Sequence, residues 1–559
     1  MAQLQFKGKT FVQNHHLMVP FHELIPSRKK SLTENLSLHD NLIIHGDNLK
    51  ALKALLPLYA GKIKCIYIDP PYNTGNENWI YNDRVNSPMM QDWLGKVVDR
   101  EDLTRHDKWL CMMMPRLKLL RELLSDDGVI FISIDDNEVH HLRMLMNDVL
   151  GEDNFICCFA IKANPRGRQS ETHVAYLHEY CLCYSKDFSS LELSGLPLTK
   201  AELEEFDQEE DGGNFWRELG LRQRGSASLR EDRPDMWFPI YVNPSDGTIS
   251  LKKTKNHSIE VTPKKADGRD SRWMWSKLKV ESEKHRVYGR IVERRSEYDI
   301  FIQDPLERNG KQRTSKPRSM WLDGEVNTEL GGKLLKVILG NKTLDYPKPL
   351  GLLKRIIHIA TEPDSIILDS FAGSGTTAHA VLDLNKKDGG HRKFILVECE
   401  EYADNITAER VRRVIKGVPE AKDEDLKSGL GGTFSYFELG KPIELQNLLD
   451  GKDLPSFKEL ARYIFYTATG EEFNEKNINL KTKFIGESRR YQVYLFYEPK
   501  IEVLKNLALT FDLAKSFPPL KGEKRRLVFA PTKYLDQDHL DEFRIDFAQL
   551  PYEIYKLAR

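Results

Sequence analysis

Apolar positions along the chain fall into two blocks in which strand patterns alternate with amphipathic helices. In the first, "NLIIHGDNLKALKALLPL" reads as a strand, a turn and a helix. Cys65, Ile66, Tyr67 and Ile68 form another strand, which must stop at Asp69 because Pro70 and Pro71 cannot donate to a ladder. "HDKWLCMMMPRLKLLRELLSDDG" predicts a helix, "GVIFISID" a strand, and "NEVHHLRMLMNDVLG" a helix closing at Gly151. In the second block "PLGLLKRIIHIA" and "AHAVLDLNKK" are helical, "SIILDSFAGSGTT" is strand and turn, "KFILVECE" is a strand and "EYADNITAERVRRVIKG" a closing helix. Two such blocks predict an α/β fold, a doubly wound and mostly parallel sheet of Rossmann type assembled from both halves.

The stretch between the blocks is irregular and rich in Arg, Lys, Trp and Gly, as an insertion with its own fold would be. Residues 1–40 form an arm, 41–190 and 331–420 the two halves, 191–330 the insertion, and 421–559 a mixed α+β domain. The loop 73–104 is long and polar yet carries Trp79, Tyr81 and Trp93, so it is expected to be functional.

Length and charge change this picture little. At 559 residues the chain exceeds what one core supports. Its 83 basic and 84 acidic residues leave a net charge of −1, so any polyanion must be met by local positive charge. Seven cysteines without paired CxxC spacing read as buried free thiols, and no metal is expected. The first residues lack an apolar signal core, and no run approaches the ~18 apolar residues that span a bilayer, so a soluble protein of a reducing cytoplasm is expected.

Candidate chemistry sits at two strand ends. "IDPPYNTG" delivers a carboxylate and an aromatic ring, Asp69 and Tyr72, to the carboxyl edge where open α/β sheets bind ligands. "LDSFAGSGTTAHA" ends a strand at Asp369, turns through small residues and starts a helix near Thr376. Its glycines allow close approach of a ligand, and the helix start offers free N–H groups. Glu398 ends the next strand, where an acidic side chain can hold ribose hydroxyls. The turn has no Lys of a P-loop and no GxGxxG; its form is FxGxG, Phe371, Gly373 and Gly375. An adenosine-bearing cofactor is the expectation.

DPPY on one strand end and DxFxGxG on another resembles the amino-methyltransferases that use S-adenosylmethionine. With "HGDNL", "YPKPL" and "SFAGSGTT", the chain is similar to β-class DNA adenine-N6 methyltransferases over at least residues 40–186 and 340–417. The resemblance implies a cofactor site of Asp47, Asp369, Phe371, Ala372, Gly373, Ser374, Gly375, Thr376, Thr377 and Glu398, with Lys348 and Pro349 near its methionine end. Asp69 and a carbonyl of the Pro70-Pro71 turn would hold the target amino group, and Tyr72 would stack on a base flipped from double-stranded DNA. "HEYCLCYSK", "REDRPDMWFPIYVNP", "GGTFSYFELG" and "FAQLPYEIYK" are similar to modification subunits of type III restriction–modification systems. Such subunits form homodimers and join a separate helicase–nuclease restriction subunit. An N4-cytosine methyltransferase, an RNA methyltransferase and a non-catalytic DNA specificity subunit are the alternatives.

The insertion is expected to read DNA. Residues 251–320 hold 19 Lys and Arg against 10 Asp and Glu, "RWMWSKLK" interleaves cations with aromatics, and "NPRGRQS" is a second basic loop. The opposing expectation packs Trp273 and Trp275 into a small core.

Overall fold

The protein is described by a computed structural model covering residues 4–74, 104–167, 173–210, 214–308, 310–340, 344–443, 454–504, 506–520 and 522–550. Trp79, Tyr81 and Trp93 lie outside the described residues, as do the ends of the stretches "NPRGRQS" and "FAQLPYEIYK". The chain divides into two compact units, one of residues 1–194 and 318–559, the other of 195–317. The second is narrower at both ends than the insertion expected over 191–330.

The first unit is built on a ten-stranded sheet. In chain order its strands are β1 (His22–Pro26), β2 (Leu42–His45), β3 (Ile63–Ile68), β4 (Leu124–Ile134), β5 (Phe155–Ile161), β6 (Glu179–Ser185), β7 (Met320–Trp321), β8 (Ile366–Asp369), β9 (Lys393–Glu398) and β10 (Ser435–Pro442). Side by side they run β1-β10-β2-β9-β8-β3-β4-β6-β5-β7. From β10 to β4 every pairing is parallel, whereas β1, β6 and the β5–β6 pair are antiparallel. The sheet thus draws strands from both predicted halves, and also from the expected arm (β1) and the start of the expected C-terminal domain (β10).

Helices cover both faces, so the central strands carry unbroken apolar runs instead of an alternation. Ile63, Cys65, Ile66 and Ile68 of β3 are all fully buried. The helices are α1 (Asn48–Tyr59), α2 (Arg105–Leu123), α3 (Val139–Leu150), α4 (Thr328–Leu339), α5 (Leu350–Ala360), α6 (Thr376–Asp388), α7 (Glu409–Lys416) and α8 (Phe457–Thr469). Local chemistry starts several of them: Asp47 caps α1, a Thr104/Asp107 capping box opens α2, and Ser456 with Glu459 opens α8. The apolar face of α8, Leu460, Ala461, Ile464 and Phe465, joins the same core cluster as Leu52 and Leu55 of α1. Beyond α8 a four-stranded sheet of Phe484–Glu487, Tyr491–Leu495, Arg525–Ala530 and Ile545–Gln549 completes the unit. No helix among the described residues is long and apolar enough to cross a membrane.

The second unit has a four-stranded antiparallel sheet of Val287–Val292, Glu297–Pro305, Asn214–Gly220 and Gln208–Glu210, and a three-stranded one around Ile240–Val242. Its entry and exit are paired, Leu196–Pro197 against Thr314–Ser315. A Cβ on Gly195 would lie 2.1 Å from Thr314 Oγ1, so only glycine fits that seam. Trp273 is fully buried and its Nε1 donates to the Phe238 carbonyl at 2.8 Å. Trp275 joins it in the core, and Arg272 is held by the Ala227 carbonyl. This corrects the expectation that "RWMWSKLK" offers its rings to bases: both indoles serve a small core, as the opposing expectation had it. Lys252, Lys253, Lys255 and Lys264 do stand exposed.

The helix α4 packs against the segment before α5 through one glycine. A Cβ on Gly331 would come 2.0 Å from the Pro347 carbonyl oxygen and 2.9 Å from that of Lys348, whereas one on Gly332 meets nothing within 4 Å. We expect Gly331→Ala to destabilise the protein by about 1–3 kcal/mol. Gly332→Ala, which only gains helix propensity, should be neutral or stabilise by up to about 1 kcal/mol. Denaturant melts of the two variants check this, and equal effects would refute the packing argument.

Candidate functional site

The strand β8 lies between β3 and β9, and from here the chain winds outward in both directions, β3 to β4 on one side and β8 to β9 on the other. That is the switch point at which an open α/β sheet leaves a crevice beyond its carboxyl ends. Leu368 pairs with Ile66, so Asp369 and Asp69 emerge from neighbouring strands. Both line one cavity of about 190 Å³, together with Tyr67, Pro71, Lys348, Phe371, Gly373, Ser374, Thr376, Thr377 and Glu398.

Asp69 shares its surroundings with three polar side chains. Lys348 Nζ lies 3.2 Å from Asp69 Oδ1 and 3.1 Å from Glu179 Oε2, and donates to the Tyr72 hydroxyl at 2.5 Å. Tyr72 in turn donates to Glu179 Oε2 at 3.1 Å. Burial pushes the Asp69 carboxyl above its usual range, opposed by Lys348 and reinforced by Glu179. Burial alone would lower Lys348, but Asp69 and Glu179 outweigh it and hold the ammonium above its ordinary value. The Asp69 side chain still keeps a quarter of its surface open. Lys348 Nζ stands 4.8 Å from the Tyr72 ring centroid, beyond the hydroxyl to which it donates. The turn itself is pinned from behind, where Trp109 Nε1 donates to the Pro71 carbonyl at 2.7 Å.

The glycine-rich turn is held by its own strand ends. Asp369 accepts from the Phe371 N–H at 3.0 Å and from Thr377 Oγ1 at 2.5 Å. Its carboxyl is raised to about 7 by burial, against those bonds and with help from Asp69 and Glu398. Glu398 Oε1 accepts the N–H groups of Cys399 and Glu400 at 2.9 and 3.0 Å, while Oε2 accepts that of Gly373 at 2.7 Å. A carboxylate oxygen takes two donors in its plane, so Oε2 retains a position for a ligand hydroxyl. Gly375, at φ 75°, caps α6, and its missing Cβ lets the turn lie against the Thr407 carbonyl. Arg410, fully buried on α7, donates to Ser374 Oγ at 2.8 Å and Thr376 Oγ1 at 2.7 Å.

The other expected residues stand further out. Asp47 caps α1, accepting from the Lys50 N–H at 3.1 Å and facing Arg116 Nη2 at 3.4 Å, and is not among the residues lining the cavity. Pro349 caps α5; Pro70 and Ala372 are buried, and Ala372 touches the cavity. Sequence reasoning gave no role to Glu179, Trp109, Arg410 or Gly331, although Glu179 lies within the quoted "HEYCLCYSK". Tyr346, which heads the quoted "YPKPL" and was given no role of its own, lines the cavity at φ 54° with its side chain exposed.

The cavity carries four carboxyl groups, Asp69, Asp345, Asp369 and Glu398, against one ammonium, Lys348. Its donor set therefore favours a cationic ligand with hydroxyls and an apolar ring, which a sulfonium nucleoside is. The chain matches a DNA methylase family profile over residues 63–409. It is 33% identical over 461 residues to the EcoPI Mod subunit of a type III restriction–modification enzyme of Escherichia phage P1, covering 76% of this chain and 70% of that protein. With the type II methyltransferase M.KpnI of Klebsiella pneumoniae it shares 36% over 368 residues, 65% of this chain and 82% of that one. The StyLTI Mod subunit of Salmonella typhimurium is 29% identical over 508 residues, covering 84% and 70%. Profile and relatives agree with the two strand ends in what they imply: the chain belongs to the DNA methylase family and is a DNA methyltransferase whose methyl donor is S-adenosylmethionine.

Proposed function

We propose that this methyltransferase modifies the exocyclic N6 of an adenine flipped out of double-stranded DNA, at a specific sequence, as the modification subunit of a type III restriction–modification system. The observation that carries the chemistry is the opening of Asp69 into the cavity that Asp369 and Glu398 also line. An exocyclic amine is a poor nucleophile because its lone pair is delocalised into the base. Asp69 accepts one of its N–H bonds. A carbonyl of the Pro70-Pro71 turn, held in place where Trp109 donates to Pro71, is the second acceptor we assign. Two acceptors on one side favour a pyramidal nitrogen with its lone pair facing the cofactor. When bound, S-adenosylmethionine supplies an electrophilic methyl group. The protein's share is then alignment for in-line attack and a carboxylate that receives the proton the nitrogen sheds.

Asp369, Phe371, Ala372, Gly373, Ser374, Thr376, Thr377 and Glu398 are the residues we assign to the cofactor, with Gly375 shaping the turn and Lys348 and Pro349 at its methionine end. Asp47 acts indirectly: it caps α1 beside Arg116, and Asn48 of that helix donates to the Ser370 carbonyl of the glycine-rich turn at 2.9 Å. Tyr72, anchored by its hydroxyl, is suited to stack on the base. The relatives' names, Mod subunits of type III restriction–modification enzymes, support a separate restriction subunit as partner, and the resemblance implies a homodimer at work on DNA in the cytoplasm. The exposed lysines of the second unit support phosphate contact there.

Two experiments test this reading. With tritiated S-adenosylmethionine and unmethylated DNA, label is expected in N6-methyldeoxyadenosine after digestion, and Asp69→Ala should lower the rate about 10²–10⁴-fold. Label in N4-methyldeoxycytidine would overturn the choice of base. The second concerns pH. Asp69 must be ionised to accept, and its raised pKa sets an acid limb above that of an ordinary carboxylate. Lys348 favours the ionised form, so Lys348→Met should move the acid limb of the kcat profile up by about one pH unit or more. An unmoved limb would remove Asp69 as the titrating group.

A further inference from the structure

The turn that carries Asp69 and Tyr72 ends at Asn73, which is almost wholly buried and holds a left-handed φ of 57°. Asparagine tolerates that conformation better than most side chains, yet it needs partners to stay there. Its Nδ2 donates to the Arg105 carbonyl at 3.2 Å and makes a short hydrogen bond to Glu138 Oε1. Glu138, at the N-terminus of α3, has no exposed surface at all. The same carboxylate faces His106 Nδ1 at 2.7 Å through Oε1 and His141 Nδ1 at 2.8 Å through Oε2. Arg105 Nε donates to His106 Nε2 at 3.5 Å, which makes that nitrogen the acceptor and leaves the proton on Nδ1, pointing at Glu138.

His106, Glu138 and His141 have the donor types of a zinc site, with ligand atoms within 4.8 Å of one another. Asn73 and two ring N–H groups already occupy the carboxylate, however, and Arg105 sets a cation beside His106. A hydrogen-bonded hub accounts for every one of these contacts. Building on the reading of Asp69 and Tyr72 given above, we propose that Glu138 is a positioning residue of the methyl-transfer reaction. It fixes Asn73, and through Asn73 the backbone that aims Asp69 and Tyr72; the two histidines hold its carboxylate in place from α2 and α3. Glu138 touches neither substrate nor cofactor. Its loss therefore affects the chemical step more than binding of the cofactor, whose turn lies on β8 and β9.

The test is a set of steady-state measurements on the full chain with Glu138→Ala, Glu138→Gln, Asn73→Gly and the double variant Asn73→Gly/Glu138→Ala. Glu138→Ala and Asn73→Gly should each lower kcat tenfold or more, with KM for S-adenosylmethionine within twofold. The double variant should be no slower than the worse single one, because both changes cut the same link. Glu138→Gln should stay within about threefold of wild type, since its amide oxygen still accepts from Asn73 and one histidine can change tautomer. Wild-type kcat in either single variant, losses that multiply in the double, or a Gln variant as slow as Ala would overturn the proposal. If Glu138→Ala does not fold, Asn73→Gly and Glu138→Gln decide it. A wild-type chain that methylates no DNA would instead sink the reading on which this rests.

Discussion

The site depends on one long-range contact, the parallel pairing of β3 with β8, in which Cys65 meets Ile367 and Leu368 meets Ile66. These strands lie on opposite sides of the inserted unit in the sequence, and nothing local brings them together. What drives the pairing is burial: both strands are apolar on both faces, and helices cover each side. Once they pair, Asp69 and Asp369 must emerge side by side. A methyl acceptor and a methyl donor can then share one cleft without any single segment binding both.

Charge organises the cleft that results. Four carboxyl groups converge there, and burial raises Asp69, Asp369 and Glu398 alike. These three buried groups are tolerable because each has specific partners: Lys348 for Asp69, the Phe371 N–H and Thr377 hydroxyl for Asp369, and three backbone N–H groups for Glu398. The excess negative potential that remains suits a cationic cofactor.

Much of this was legible in the sequence, and the exceptions follow a rule. The residues DPPY and FxGxG announce themselves because proline and glycine impose backbone geometry, and an acid beside them has few structural reasons to be there. The parallel sheet was legible from unbroken apolar runs in β3, β8 and β9. Glu179, Glu138 and Arg410 were not, because a lone charged residue in a strand or helix reads as a solvated face until its burial is seen. Asp47 stands in the HGDNL stretch carried by the resemblance, but its observed bonds are those of a helix cap, a role its position before an amphipathic helix equally fits. Trp273 and Trp275 look like stacking platforms beside so many cations. A core as small as that of residues 195–317 needs its largest side chains inside, and the tryptophans go there.

The paired seam of Leu196–Pro197 with Thr314–Ser315 has a consequence beyond this fold. Where a segment leaves and returns through paired strands, its two ends are held side by side whatever lies between them. The strands β3, β8 and β9, which end in Asp69, Asp369 and Glu398, lie outside that segment. A single recombination event can therefore exchange the whole segment, provided the incoming one keeps the clearance that Gly195 gives beside Thr314.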